Sequence, residues 1–192
     1  MLDQCRWHNA PQHWRLAANG ELHVNSDAQT DFWRETQYGF IRDSGHFFGF
    51  KTSGDFTAQV RVKGDFSTLY DQAGLMVRVD SQHWCKAGAE VSDGALQIGC
   101  VLTLGKSDWS VGRFDHSVPE FWIRMTVQAG VLRVQYSQDG HTWPLLRLCP
   151  FPVHDSYWVG PMCCTPQREG LQVEFSQFHV GAPLGKDLHD LT

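Results

Sequence analysis

Between residues 56 and 63 the side chains alternate strictly: Phe56, Ala58, Val60 and Val62 are apolar, while Thr57, Gln59, Arg61 and Lys63 are polar. Period two is the mark of a strand with one buried and one wetted face. Comparable runs recur along the chain, divided by turn-forming pairs such as Asn19-Gly20, Asp93-Gly94, Ala129-Gly130 and Asp139-Gly140. No long amphipathic helical pattern interrupts them. A short turn of helix is expected within residues 25–35, and residues 181–192 read as a polar tail.

Two of the turns carry the argument further, because a two-residue loop dictates which residues face each other. With Asp93-Gly94 as the loop, Val91 opposes Leu96, Ala89 opposes Ile98, Ala87 opposes Cys100 and Cys85 opposes Leu102. All are apolar. The other face pairs Glu90 with Gln97, Gly88 with Gly99, Lys86 with Val101 and Trp84 with Thr103. Around Ala129-Gly130, Val127 meets Leu132, Met125 meets Val134 and Ile123 meets Tyr136. A slip of one residue would mix the faces, so two consistent registers predict an all-β fold of antiparallel sheets packed over one core. A chain of 192 residues suits a single domain of this kind, residues 1–192.

Composition narrows the partners. Eight tryptophans call for a wide core or an aromatic-lined binding surface. A net charge of −5 without any Lys/Arg run argues against nucleic acid and against a membrane surface. The N-terminus lacks the basic-then-apolar order of an export signal and no apolar run reaches bilayer length, so the expected compartment is the cytoplasm. There Cys5, Cys85, Cys100, Cys149, Cys163 and Cys164 are expected as reduced, buried thiols, the adjacent last two pointing to opposite faces. No zinc-site spacing, close histidine pair or dense acidic loop occurs, so neither metal nor cofactor is expected.

Candidate chemistry lies on the face of Trp84, Lys86, Gly88 and Glu90. The strand Gln72 to Val79 turns Ala73, Leu75, Val77 and Val79 to the core and leaves Gln72, Gly74, Met76 and Arg78 outside. If the two are neighbours, Gln72, Arg78, Trp84, Lys86, Glu90 and Gln97 surround a dimple at Gly88 and Gly99. An indole that stacks on a pyranose beside polar side chains that bond its hydroxyls suits a carbohydrate. The plainer alternative is a solvated Lys86/Glu90 pair with Trp84 capping a sheet edge. Ser107-Asp108-Trp109-Ser110 places Asp108 and Trp109 at the rim of this face, or else starts a strand whose Trp109 enters the core, the reading preferred for Trp109. Ser137-Gln138-Asp139-Gly140-His141-Thr142-Trp143 reads as a shortened Asp-box with a structural role.

Glu90 and Lys86 are the candidates for acid or base catalysis. Glu90 lacks a same-face carboxylate in its own hairpin, and no Glu-x-Asp-x-Glu strand is present, which weakens a glycosidase reading. A lyase with Lys86 as base would use Arg78 and Gln72 to neutralise a uronate.

The segments Tyr70-Asp71-Gln72-Ala73-Gly74-Leu75-Met76-Val77-Arg78, His83-Trp84-Cys85-Lys86-Ala87-Gly88-Ala89-Glu90 and Ser107-Asp108-Trp109-Ser110 stand here in order. In them the chain resembles the regulation of enolase protein family, a domain of unknown function, from Trp14 through Phe175. The resemblance implies a concanavalin A-like jelly-roll sandwich of two antiparallel sheets, related to lectins and glucanases, and no established activity. Its motifs fall on Asp71, Gln72, Trp84, Lys86, Glu90 and Asp108. Cys85 stands where an aliphatic residue is expected. The function expected is binding or sensing of a carbohydrate or sugar derivative, with a glycan-active enzyme or a protein-interaction domain tied to carbon metabolism as alternatives.

Overall fold

In the computed structural model, which describes residues 1–114 and 120–192, the strand His83–Ser92 turns at Asp93-Gly94 into Ala95–Leu104. Val91 faces Leu96, Ala89 faces Ile98, Ala87 faces Cys100 and Cys85 faces Leu102, as the two-residue loop requires. Asp93 and Gly94 adopt φ of 52° and 76°, the left-handed pair of such a loop. The second hairpin pairs Val127 with Leu132, Met125 with Val134 and Ile123 with Tyr136.

The described residues form sixteen strands. The first eight are β1 (Arg6–His8), β2 (His13–Leu16), β3 (Leu22–Asn25), β4 (Phe32–Arg34), β5 (Ile41–Asp43), β6 (His46–Thr52), β7 (Phe56–Gly64) and β8 (Gln72–Arg78). The rest are β9 (His83–Ser92), β10 (Ala95–Leu104), β11 (Lys106–Arg113), β12 (Glu120–Gln128), β13 (Val131–Ser137), β14 (Leu145–Pro150), β15 (Tyr157–Cys164) and β16 (Gln172–Gly181). One seven-stranded sheet runs β1-β6-β15-β8-β9-β10-β11, and a second runs β14-β13-β12-β7-β16-β3-β2. Every pairing is antiparallel, giving a jelly-roll sandwich.

Between the sheets lies the main core, where Leu75, Val77, Cys85, Ala87 and Ile98 of the first sheet meet Val60, Val62, Ile123, Met125 and Phe175 of the second. All six cysteines are free and buried. Cys163 joins the main core and Cys164 a second cluster on the opposite face of the first sheet.

That second cluster exists because residues 26–45 fold over the outer face of the first sheet. No helical turn forms there. The chain makes a bend at Ala28-Gln29 and then the two-stranded β4–β5 ribbon, because Phe32 and Trp33 have an apolar surface to bury against. Phe32, Trp33, Phe47, Met76, Trp84, Val101 and Met162 pack together under this cap. Gly45 is dictated by the Phe32 ring, which lies 2.2 Å from where a β-carbon would sit. Asp43 clamps the cap through a bidentate pair with Arg78 at 2.6 and 2.8 Å, and Arg34 bonds Gly105 O and Ser107 Oγ. His46 accepts a bond from the Asp27 amide at Nε2, which leaves its Nδ1–H to donate to Asn9 O.

The polar tail is also docked rather than free. Leu184 N bonds Thr57 Oγ1, Arg133 bonds Lys186 O, and Trp143 N bonds Leu191 O, so the tail crosses the outer face of the second sheet. The Asp-box forms as expected: Ser137 Oγ accepts from Gly140 N, Asp139 Oδ1 accepts from the His141 and Thr142 amides, and Trp143 is buried beneath. Those amide donors hold the Asp139 carboxyl well below the usual range. Among the described residues no helix is long and apolar enough to cross a membrane.

Trp84, expected on an open face as a stacking platform, is 1% exposed, packs on Phe32 and bonds Ser81 O through Nε1. The cap covers it. Trp84→Ala is therefore expected to destabilise the fold by about 3–5 kcal/mol in urea denaturation. A loss below about 1 kcal/mol would contradict its place in the second cluster.

Candidate functional site

Strand parity brings three of the expected residues together. Gln72 and Glu90 are cross-strand partners, and Lys86 lies two pleats along the same face of β9. All three are buried, Lys86 to 4% and Glu90 to 7% exposure. What buries them is the cap, which completes a cavity of about 200 Å³ lined by Asp31, Trp33, Tyr38, Phe40, Tyr70, Gln72, Lys86, Glu90, Val101, Trp109, Pro166 and Gln167. Exposed Tyr38 and Gln167 mark its mouth, where Tyr38 Oη lies 3.4 Å from Tyr70 Oη. Buried Gln72, Lys86, Glu90 and Val101 form its floor.

The cap also delivers the carboxylate that the hairpin lacked. Asp31 O accepts the amides of Ser44 and Gly45, which fixes the residue at the root of the ribbon. Its Oδ1 accepts from Phe32 N at 2.8 Å and lies 3.4 Å from Lys86 Nζ. Lys86 also donates to Gln72 Oε1 at 2.7 Å. Burial opposes the charge of Lys86, but the neighbouring acids, with Asp31 bonded to the ammonium directly, outweigh it and hold the ammonium more firmly protonated than usual. Nothing in sequence spacing points to Asp31, because its chain neighbours belong to a different strand system.

Glu90 is less well served. Burial pushes its carboxyl up to about 7; Lys86 opposes the shift and Asp31 adds to it. The Trp109 indole lies near enough to favour the carboxylate, yet its Nε1–H is buried without a hydrogen-bond partner. The one donor beside the Glu90 carboxyl among the described residues is that indole, which favours the charged form without making a hydrogen bond of ordinary geometry. The indole N–H and the carboxyl thus lie side by side on the wall of one cavity.

The other expected site residues lie elsewhere. Arg78 pairs with Asp43 and lines a different groove with Trp7 and Trp158, so it does not stand beside Lys86 as the uronate lyase reading would need. Asp71 is fully buried, caps the Ser67 and Thr68 amides and pairs with Arg168. Gln97 bonds Ser92 and Asp93 at the hairpin tip. On β11 the parity is the reverse of the preferred one: Trp109 opposes Val101 and enters the cavity, whereas Asp108 opposes Leu102 and pairs with Arg147. Gly74 and Gly88 are required by the sheet itself, since β-carbons there would sit 1.9 and 2.0 Å from the Ala87 and Ala73 carbonyl oxygens.

Among the described residues one group could hold a metal ion, on the outer face of the second sheet: Glu21, His23 and Glu174, with ligand atoms within 4.8 Å of one another. Glu174 reaches it by pairing β16 with β3, which spacing along the chain does not reveal.

Comparison with known proteins gives a consistent picture. The model of the family described as "Protein of unknown function (DUF1349)" matches residues 7–183. A Saccharomyces cerevisiae protein named "Regulation of enolase protein 1" is 56% identical over 191 residues, covering 100% of this chain and 96% of that one. The crystal structure of a functionally unknown Saccharomyces cerevisiae protein superposes with a TM-score of 0.93 at 55% identity, covering 96% of this chain and 99% of that one. A GH43 protein from Bacillus licheniformis shares the fold alone, with a TM-score of 0.73 at 14% identity over 93% of this chain and 37% of its own.

Glu90 makes stability depend on pH. Below about pH 4.5 both folded and unfolded chains carry its proton; between 4.5 and about 7 only the folded chain does, so stability falls as pH rises through this window. The full penalty, about 3 kcal/mol, applies above pH 7. Glu90→Gln removes it, and urea denaturation of the variant is expected to show a stability advantage over wild type that grows by about that amount from pH 4 to pH 8. A difference independent of pH would show that Glu90 is not the buried group described.

Proposed function

The chain belongs to the DUF1349 family, and from the site it builds on that fold we propose that the cavity under the cap binds one neutral, monosaccharide-sized carbohydrate. The observation that carries this reading is the buried Trp109 N–H, which has no hydrogen-bond partner of ordinary geometry, beside the Glu90 carboxyl on the cavity wall. A buried polar group left unpaired costs about 1–3 kcal/mol, which a ligand that satisfies it recovers. A hydroxyl does both jobs, donating to Glu90 while accepting from Trp109. Lys86 commits two of its protons to Asp31 and Gln72 and keeps a third for another ligand oxygen.

Size and charge support the same class. A cavity of ~150 Å³ takes benzene, so about 200 Å³ takes one six-membered ring with its hydroxyls. Trp33, Tyr38 and Phe40 offer ring faces against a sugar's apolar side, with Tyr38 and Phe40 already stacked 5.4 Å apart. Lys86 is the sole cation among the described lining residues and is neutralised by Asp31, which leaves no free positive charge for a phosphate or uronate. The name of the 56% identical relative, "Regulation of enolase protein 1", supports a regulatory setting, in which the cavity senses a small sugar.

Neutral monosaccharides are expected to raise the melting temperature, and sugar phosphates and uronates to leave it unchanged. Trp109→Phe keeps the ring and loses the N–H, and is expected to weaken binding about tenfold by calorimetry. No melting shift with any neutral monosaccharide would defeat the reading.

A further inference from the structure

We infer that this cavity interconverts the anomers of a free reducing monosaccharide, an inference that rests on its reading as a monosaccharide site. Two groups able to move protons line one floor. Glu90 is buried with only the Trp109 indole beside it as a donor and can accept a proton, while the Lys86 ammonium is held in position by Asp31 and Gln72. Gly88 lies between them on the same face of β9, so no side chain separates the two.

The cavity's size limits what such a pair can do. Room for one ring suits a reaction that leaves the atoms of the sugar unchanged. Ring opening and closure is that reaction, and it asks only for proton transfer at O1 and O5.

Each proton has a place. The Glu90 carboxylate takes the proton of the anomeric hydroxyl; the O1 electron pair forms the C1=O1 bond as the C1–O5 bond breaks, and O5 takes a proton from the Lys86 ammonium. The aldehyde turns about C1–C2. In closure O5 returns its proton to Lys86 while attacking the other face of C1, and Glu90 gives its proton back to O1. The Trp109 N–H, otherwise unpaired, donates to O1 and holds it beside Glu90. No atom or electron enters or leaves.

The ionisable groups facing Glu90 are Lys86 on its own strand, Asp31 from the cap, Cys164 from β15 and Tyr70 from the turn before β8. Burial pushes Cys164 up to about 12, and the Tyr38 hydroxyl beside it raises Tyr70 to about 12, so both stay neutral. A carboxyl that titrates near 7 is matched to work as a base at neutral pH.

The test follows freshly dissolved α-glucose, α-galactose and α-xylose by polarimetry in weak buffer, alongside melting shifts with the same sugars. For a sugar that binds, anomer exchange is expected to accelerate in proportion to protein and to rise with pH through about 7. It should fall at least about 100-fold in Glu90→Gln, a variant expected to be the more stable fold at pH 8. A sugar that shifts the melting curve yet exchanges no faster than in buffer overturns the activity and leaves the binding reading standing. Equal acceleration by wild type and Glu90→Gln places the catalysis on surface side chains and also overturns it. No melting shift with any sugar removes both readings.

Discussion

A lysine ammonium buried to 4% exposure needs a counter-charge, and for Lys86 that charge comes from outside its own sheet. An unpaired buried cation would cost several kcal/mol. The Asp31 carboxylate meets the requirement only if residues 26–45 lie on the outer face of the first sheet, and there Phe32 and Trp33 bury themselves against Trp84, Met76 and Val101. Apolar burial and charge pairing thus select one position for the cap. The two ends of the cap are then pinned, by Asp27 on His46 and by Asp43 on Arg78. The second core, the enclosed Trp84 and the cavity all follow from that placement.

The same placement leaves one account unbalanced. Asp31 neutralises Lys86, so Glu90, buried by the same cap, has no cation of its own and only the Trp109 indole beside it to favour its charge. A carboxyl in such a setting takes up a proton rather than hold a bare charge. Structural needs alone would be met by a glutamine or an apolar residue at 90. A carboxyl that costs stability above neutrality and faces a cavity with an unpaired indole N–H is the pattern of a site in which function is bought with stability.

Much of this fold is legible in the chain. Period-two alternation and two dipeptide turns give the register of β9–β10 and β12–β13 to the residue, and parity puts Gln72, Lys86 and Glu90 on one face of the first sheet. Parity says which residues share a face, and not what covers it. The cap is the missing information: its β4–β5 ribbon is three residues a side, too short for a periodic signal. Hence Trp84 reads as a surface ring when it is core, and Asp31 escapes notice. Trp109 and Asp108 illustrate a second limit. They sit on an edge strand where a one-residue choice exchanges cavity for rim, and the Asp108–Arg147 pair with β14 decides it.

The cavity floor also depends on a constraint that belongs to the backbone. At the Gly74–Gly88 pair, the strands β8 and β9 approach so closely that a β-carbon on either would meet the opposing carbonyl oxygen at about 2 Å. Glycine is thus imposed by the sheet, independently of any ligand. Its consequence on the outer face is space: the pleat between Lys86 and Glu90 carries no side chain, and both can turn toward the same volume. Had the strands been spaced to accept alanine there, a methyl group would take up part of the volume between the ammonium and the carboxyl. The close approach at the centre of the first sheet therefore also leaves open space on its outer face between Lys86 and Glu90.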